Sequence, residues 1–245
     1  MRAVPDREKT DNSRSDPMDR GPDSVTDDGY AIWERVFEPA DMVRVLDAVR
    51  RAAVDRTKAG ARHVLKVPTI RELAIDARLI NLARLFVGAD AVPFRATLFD
   101  KSPAANWLVA WHQDTAVPLR RRIDDPDWGP WSMKAGVLYS HAPSHALERV
   151  VALRVSLDDS TITNGPLRVL PNTHRQGVLD EQEIAGLART IVPVDCIALT
   201  GAVVGMRPLT IHASSKAIDD QPRRVLHIEY AASLAIAPGA ELAAV

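Results

Sequence analysis

The sequence predicts a mainly β fold, a barrel or a sandwich, with helices packed on it from the N-terminal side. Three observations support this prediction. Before Gly88, apolar residues recur at helical spacing. After Gly88, short β-prone segments are separated by Pro, Gly, Asn and Asp, which is typical of all-β sandwiches and barrels. The chain has no internal repeat of fixed period, which argues against a propeller or a solenoid.

The 245 residues fit one large domain. Residues 1–24 are expected to form a disordered polar tail, because they contain few apolar side chains whose burial could offset the entropy of ordering. Residues 25–245 are expected to form a single domain, whose fold starts near the sequence Asp28-Gly29-Tyr30.

Two helical stretches are expected after a first short strand at 30–33. Pro39 suits the first position of a helix, and apolar residues at helical spacing follow it. Thr69 and Glu72 have the spacing of a capping box, which predicts the start of a second helical stretch. Gly88 is expected to end that stretch.

The rest of the chain is expected to be mostly strands, with one short helix at 176–190. The β-prone segments are 92–101, 107–113, 134–141, 149–157, 166–171, 191–199, 202–206, 209–214 and 223–231.

Composition excludes several classes of protein. Lys and Arg total 31 and Asp and Glu total 32, a net charge of −1, which argues against a general nucleic-acid binder. The single cysteine, Cys196, excludes an internal disulfide framework and a cysteine-based zinc finger. No apolar run approaches the roughly 20 residues of a membrane span, and no secretory signal is visible. We therefore expect a cytoplasmic protein with a small-molecule substrate and without nucleic-acid or membrane partners; a homo-oligomer is left open.

The first segment with chemical content is Trp-His-Gln-Asp at 111–114. Side chains alternate faces along a strand, so His112 and Asp114 are expected to project from one face. An imidazole and a carboxylate at this spacing can bind one metal ion. A chance His-x-Asp is common in a chain with seven histidines, so this pair alone is a weak signal.

A third ligand is available 100 residues later, in the segment Leu-Thr-Ile-His-Ala-Ser at 209–214. A barrel can fold two distant strands around one cavity, which would bring His212 to His112 and Asp114. Two histidines and one carboxylate form the facial triad of non-heme Fe(II) oxygenases, which leaves coordination positions open. Arg223 lies 11 residues after His212, and its guanidinium could hold a carboxylate in two-point contact near the metal.

Together these segments resemble the phytanoyl-CoA dioxygenase family. The sequence Asn-Gly-Pro-Leu-Arg-Val-Leu-Pro-Asn-Thr-His at 164–174 is similar to the family signature. The His-Gln-Asp at 112–114 and the Asp-Gly-Tyr at 28–30 resemble the family's iron-binding motif and its N-terminal start. The resemblance spans roughly residues 27–232, and the matches occur in the family's order and spacing.

The resemblance implies a double-stranded β-helix, a cupin-like jelly-roll barrel, that uses Fe(II), 2-oxoglutarate and O2. It implies that His112, Asp114 and His212 bind the iron and that Arg223 pairs with the distal carboxylate of 2-oxoglutarate. Ser214 would hydrogen-bond the same carboxylate. Thr97 falls, by a looser match, where the family often faces the cosubstrate. The implied reaction oxidises an aliphatic C–H bond of a small molecule, most often by hydroxylation, and releases succinate and CO2.

Three residues are candidates for contact with substrate. Arg154 alternates with the apolar residues of its strand, so it faces either solvent or the active-site cavity, where it could hold an anionic substrate or cosubstrate group. Trp128 and Trp131 follow the metal motif in a segment that covers the active site in the family; core packing is the alternative for both. His227 is expected to be a satisfied core histidine, with the pocket wall as the alternative.

Two rival functions stay open at this point. A cupin-like metal-dependent hydrolase or isomerase could use the same three ligands, but it would not need an arginine placed for a dicarboxylate. A non-catalytic relative that binds metal or a 2-oxo acid is the other rival. The signature also departs from the family, reading Pro-Asn-Thr-His in place of the commoner Pro-Gly-Ser/Thr-His, which leaves the substrate undefined.

Overall fold

The computed structural model describes residues 27–54, 56–57, 60–103 and 105–245. The predicted tail, residues 1–24, lies outside them. The described ranges are mainly β with helices concentrated before residue 88, as predicted. None of the helices in these ranges has both the length and the apolar content needed to cross a membrane.

The strands are β1 (Tyr30–Trp33), β2 (Arg56–Thr57), β3 (Gly60–Arg62), β4 (Val92–Lys101), β5 (Val109–His112), β6 (Ala116–Leu119), β7 (Trp131–Lys134), β8 (Val137–His141), β9 (Val150–Ser156), β10 (Leu167–Val169), β11 (Val194–Cys196), β12 (Val203–Met206), β13 (His212–Ser214), β14 (Arg223–Ala231), β15 (Ala235–Ala237) and β16 (Ala240–Glu241). The helices are α1 (Pro39–Arg51), α2 (Pro68–Ala74), α3 (Ala77–Val87), α4 (Ser144–Leu147) and α5 (Glu181–Thr190). Two 3₁₀ turns, Val64–Lys66 and Thr173–Gln176, complete the set.

Two antiparallel sheets contain most of the strands. The larger has seven strands in the order β1-β12-β9-β14-β4-β3-β2, and the smaller has four in the order β11-β10-β13-β5. Two further sheets are a three-stranded β6-β8-β7 sheet and the hairpin β15-β16. Several neighbouring strands of the two main sheets come from distant parts of the chain, as β5 and β13 do, so this topology brings together side chains that are far apart in sequence.

The seven-stranded sheet has two different faces. Leu153, Leu226 and Ile228 belong to a large apolar cluster that also contains buried residues of α1, α2 and α3. The alternate residues of the same strands, such as Arg154 and His227, line cavities instead. Since successive side chains of a strand point to opposite faces, one face of this sheet packs on the helices and the other lines the cavities.

The predicted capping box at Thr69 and Glu72 is wrong. The structure begins α2 at Pro68, whose fixed backbone angle suits the first helical position. Thr69 therefore lies inside the helix, and the residue that precedes the helix, Val67, makes no side-chain cap. A complete capping box occurs instead at α5, where Asp180 accepts from the Glu183 amide and Glu183 accepts from the Asp180 amide, both at 2.8 Å.

The second helical stretch is two helices, α2 and α3. The chain leaves the helical conformation after Ala74, and Asp76 then caps α3 by accepting a hydrogen bond from the Arg78 amide at 2.8 Å. The predicted end at Gly88 is correct, since its φ of 88° suits a residue without a β carbon.

The segment predicted as one strand at 134–141 contains the strand β8 and the turn that joins it to β7, which ends at Lys134. Ala135 and Gly136 connect the two strands with φ values of 48° and 78°. Two consecutive positive φ values are those of a type I′ turn, which matches the twist of a two-stranded hairpin.

Candidate metal centre and its two cavities

His112, Asp114 and His212 converge, as the sequence predicts. β5 pairs with β13 so that His112 and His212 are direct cross-strand partners, and their rings lie 4.2 Å apart between centroids. Asp114 lies just beyond β5, where its amide donates to the Pro208 carbonyl at 2.9 Å. Its carboxylate oxygens are 3.7 Å from His112 Nε2 and 3.4 Å from His212 Nε2. One ligand atom from each of the three residues lies within 4.8 Å of the other two.

Hydrogen bonds fix which nitrogen of each histidine faces the centre. Nδ1 of His112 is 2.8 Å from the Ala110 carbonyl, and Nδ1 of His212 is 2.9 Å from the Thr210 carbonyl. A carbonyl can only accept, so each Nδ1 carries the proton and each Nε2 keeps a free lone pair. Both Nε2 atoms face Asp114, so the three residues fit a divalent metal ion bound from one side.

The electrostatics of the centre favour the protonation states that bind metal. Burial would raise the pKa of Asp114, but His212, His227 and His112 together hold that pKa well below its usual range. Burial lowers the pKa of His112, and His212 lowers it further. A carboxylate that stays ionised beside a histidine that stays neutral is the form that coordinates a cation.

A cavity of about 110 Å³, here called the inner cavity, adjoins the three residues. Arg223, Ser214 and Arg154, all predicted site residues, lie in its wall together with the ligands. Arg223 is 3% exposed and stands at the start of β14. Its Nη2 donates to Ser214 Oγ at 3.3 Å, and its buried Nε has no hydrogen-bond partner among the described residues. The inner cavity therefore presents an unsatisfied donor on a buried cation.

Ser214 links Arg223 to a second buried cation, Lys101. Its hydroxyl donates to the Gly165 carbonyl at 2.9 Å and accepts from Arg223 and from Lys101, the latter at 2.9 Å. The hydroxyl proton of Ser214 is thus engaged in the hydrogen bond to the Gly165 carbonyl. Both cationic side chains therefore converge on the hydroxyl oxygen of Ser214.

Lys101 was missed by the sequence-based predictions. It is 1% exposed and donates to Ser214 Oγ and, at 2.5 Å, to the Ser215 carbonyl. Burial lowers its pKa to about 8, and the positive charges of Arg223 and Arg154 add to the effect. No local signal in the sequence marks Lys101, because the pairing of β4 with β14 is what sets it opposite Arg223.

The turn at 164–165 supports this arrangement. Gly165 has a φ of 70°, and a β carbon there would lie 2.3 Å from the Ser215 carbonyl oxygen and 3.0 Å from Lys101 Nζ. Only glycine combines that backbone angle with that close approach. The Asn164 side chain holds the turn by accepting from the Thr161 amide at 2.9 Å and donating to the Asp159 carbonyl at 2.7 Å.

Arg154 faces the inner cavity and is 9% exposed, so the solvent-facing alternative is wrong. Its Nη1 lies 3.0 Å from His227 Nδ1, and its guanidinium lies 5.3 Å from the ring centroid of Phe99. Because a guanidinium only donates, His227 Nδ1 accepts and its proton is on Nε2. His227 is buried and satisfied, as expected, and it also lines the cavities.

A second cavity of about 310 Å³, here called the outer cavity, shares Phe99, Asp114 and His227 with the inner one. Thr97 lines the outer cavity and not the inner one. Arg62, Arg95, Gln113, Thr115, Ala116, Lys134, His141 and Glu229 complete its wall.

Trp128 and Trp131 line neither of these cavities. Trp128 is 4% exposed and belongs to an apolar cluster around β6, α4 and β16, and Trp131 packs against the same cluster. This arrangement favours the core-packing alternative over a covering role for both side chains.

Comparison with known proteins gives a family match and a consistent set of relatives. The family model of phytanoyl-CoA dioxygenase (PhyH) matches residues 25–225. An ectoine dioxygenase of Sphingopyxis alaskensis is 23% identical over 241 residues, covering 83% of this chain and 72% of the relative. An ectoine dioxygenase of Bordetella bronchiseptica is 26% identical over 166 residues, covering 61% of this chain and 47% of the relative. The match thus spans about half the length of the Bordetella relative.

Solved structures share the architecture. EctD from S. alaskensis with 2-oxoglutarate and 5-hydroxyectoine superposes with a TM-score of 0.67 at 22% identity, covering 91% of this chain and 78% of that one. AviO1 from Streptomyces viridochromogenes gives a TM-score of 0.65 at 23% identity, covering 92% and 98%. The non-heme alpha-ketoglutarate-dependent epimerase SnoN gives 0.61 at 17%, covering 85% and 80%. These similarities confirm the predicted jelly-roll fold.

Proposed function

Because this chain belongs to the phytanoyl-CoA dioxygenase family, we propose that it is a non-heme Fe(II)- and 2-oxoglutarate-dependent dioxygenase. The proposed reaction hydroxylates an aliphatic C–H bond of a small molecule and releases succinate and CO2. One observation carries the proposal: a two-histidine, one-carboxylate centre opens onto a cavity whose wall holds a buried arginine with an unused donor.

His112, Asp114 and His212 would hold the iron. When bound, Fe(II) supplies activation of dioxygen at the coordination positions that three protein ligands leave open. The protein's own contribution is orientation: the Ala110 and Thr210 carbonyls keep both imidazoles turned with Nε2 toward the centre.

The inner cavity would take 2-oxoglutarate. A dicarboxylate with its 2-oxo acid end at the metal would extend its distal carboxylate toward Arg223, whose Nε and Nη2 can bind it in two-point contact. Lys101 adds a second positive charge, which converges with Arg223 on the Ser214 hydroxyl. Arg154 lies in the same wall, so we assign its charge to this end of the site.

The same cations argue against one of the rival functions. A cupin-like hydrolase or isomerase would need the metal ligands but no cluster of buried positive charge beside them. A non-catalytic relative that binds metal or a 2-oxo acid would use the same residues, and the formation of succinate separates it from an enzyme. SnoN, described as an epimerase, belongs to the same fold, so hydroxylation is the part of the proposal that depends most on a product assay.

The test is anaerobic addition of Fe(II) and 2-oxoglutarate, followed by the visible charge-transfer band of the chelate. We expect the band in the wild type and in His145→Ala, an exposed histidine away from the centre, and its loss in His112→Ala. With oxygen, succinate should form only when both additions are present. No band in the wild type, or an unchanged band in His112→Ala, would refute the proposal.

A further inference from the structure

The outer cavity also adjoins the metal centre, because Asp114 lies in its wall. It shares Phe99, Asp114 and His227 with the inner cavity, and its other wall residues are different. Its volume of about 310 Å³ suits a small molecule. The proposed function assigns the inner cavity to cosubstrate, so the outer cavity is left for the substrate.

Most charges in the outer cavity are already compensated. Glu229 and Arg95, which face each other across β14 and β4, form a two-point ion pair, and their side chains are 3% and 12% exposed. Arg95 also donates to the Ala116 carbonyl at 3.0 Å. Asp114 is turned toward the two histidines of the metal centre, where a bound divalent ion would neutralise its charge. The Arg95–Glu229 pair and Asp114 therefore offer no free positive charge to a ligand.

Two cations in the same wall remain without an acidic partner among the described residues: Arg62 on β3 and Lys134 on β7. Lys134 lies over the Tyr139 ring, 4.9 Å from its centroid. Its pKa is lowered by burial and by the charges of Arg62 and Arg95, while the charge of Asp114 acts in the opposite direction without forming an ion pair with it. Two like charges converging on one cavity repel each other unless an anion lies between them. Arg62 is exposed and Lys134 is half-buried, so water screens part of this repulsion, and a negatively charged ligand between them would relieve the rest.

We propose that the substrate of this enzyme is a small organic carboxylate, whose carboxylate group is bound by Arg62 and Lys134 in the outer cavity. This inference rests on the proposed function, because it assigns the outer cavity by its position beside the metal centre. Thr97, Thr115 and Phe99 supply hydroxyl and apolar wall for the rest of the molecule. With the carboxylate held by Arg62 and Lys134, the carbon skeleton would occupy the rest of the cavity, whose wall includes Asp114.

The inference can be tested without turnover. Mn(II) serves as a redox-stable substitute for iron, and saturating 2-oxoglutarate fills the inner cavity. Benzoate and benzamide, which have the same shape but differ in charge, are then titrated while the paramagnetic relaxation of their ring protons is recorded. We expect benzoate to bind at least tenfold more tightly than benzamide, with relaxation that reports proximity to Mn(II).

The variant that tests the assignment is the double substitution Arg62→Gln/Lys134→Met, which should weaken benzoate binding at least tenfold and leave benzamide binding unchanged. The control is Arg50→Gln/Arg189→Gln, which removes two positive charges at exposed positions on α1 and α5. This control should bind benzoate as the wild type does.

Three results would overturn the inference: equal binding of benzoate and benzamide, no benzoate binding at millimolar concentration, or a double variant within twofold of the wild type. Failure of the proposed function gives a separate signal. In that case the water-proton relaxation of Mn(II) would not change on adding protein, or the change would survive in His112→Ala.

Discussion

Replacing Arg223 by methionine should weaken 2-oxoglutarate binding while it stabilises the protein without ligand. Arg223 is buried, and its pKa is lowered to about 9, mainly by burial and also by the charge of Arg154. It has no acidic partner among the described residues. A buried charge of this kind costs free energy that an apolar side chain of similar length does not.

The loss of binding follows from the hydrogen bonds that the guanidinium can make. Two charge-assisted hydrogen bonds to the distal carboxylate contribute about 1.5 kcal/mol each at the lower limit. Together they amount to about 3 kcal/mol, or roughly a 100-fold change in the dissociation constant. Arg223→Lys keeps the charge but loses the planar two-point geometry, so we expect an intermediate loss of about tenfold.

The assay is anaerobic titration of the Fe(II)-loaded protein with 2-oxoglutarate and, in parallel, with 2-oxobutyrate, which lacks the distal carboxylate. The wild type should prefer 2-oxoglutarate by about 100-fold, and Arg223→Met should lose that preference while it binds 2-oxobutyrate as before. Thermal unfolding of the metal-free proteins measures the second effect, and the methionine variant should melt no lower than the wild type. A variant that keeps its preference for 2-oxoglutarate within twofold would refute the assignment of Arg223.

Three further outcomes are expected. In the free protein Lys101 has a pKa of about 8, and its protonated form is the one that attracts a carboxylate. The affinity for 2-oxoglutarate should therefore be constant below that pH and fall about tenfold by pH 9. Titrations across this range should show a shallower pH dependence for Lys101→Met, and a curve identical to that of the wild type would contradict the role of Lys101. Glu229→Gln should lower the free energy of unfolding by about 3–5 kcal/mol, because it leaves the Arg95 cation buried without its partner. Chemical denaturation measures this loss, and a change below 1 kcal/mol would show that the ion pair is dispensable for stability. Gly165→Ala should destabilise the protein by about 1–3 kcal/mol and raise the dissociation constant for 2-oxoglutarate. The reason is that the new β carbon would meet the Ser215 carbonyl, which accepts a hydrogen bond from Lys101. A variant as stable as the wild type in chemical denaturation would contradict the close approach.

The metal centre was predictable because its signals are local. The His112–Asp114 spacing is a property of three consecutive residues. His212 is a second histidine that lies in another strand-like segment and can act as a ligand of the same kind. The alternation along 150–157 likewise predicts that Arg154 lies on the opposite face from its apolar neighbours, and the structure decides in favour of the cavity. Such patterns depend on strand periodicity, which sequence displays directly.

The parts that were missed depend on pairing between distant segments. Lys101 is an ordinary lysine at the end of β4 until β14 places Arg223 opposite it. The division of charges in the outer cavity also needs the pairing of Arg95 with Glu229, which lie 134 residues apart. The false capping box at Thr69 has a different cause, since a neighbouring proline took the first helical position and moved the helix start. Sequence patterns therefore identified which residue types carry the chemistry, and the topology decided which of them meet.

The two faces of the seven-stranded sheet have a consequence for how this protein can change over evolutionary time. Along β14, substitutions at Leu226 or Ile228 alter packing against the helices, whereas substitutions at His227 alter the cavities. Changes of substrate can therefore accumulate on one set of alternate positions without disturbing the other. Insertions and deletions are different, because a shift of a single residue in β14 would exchange the two sets and destroy stability and chemistry together. Divergent members with this architecture are thus expected to differ by point substitution within these strands and by length only in the loops between them.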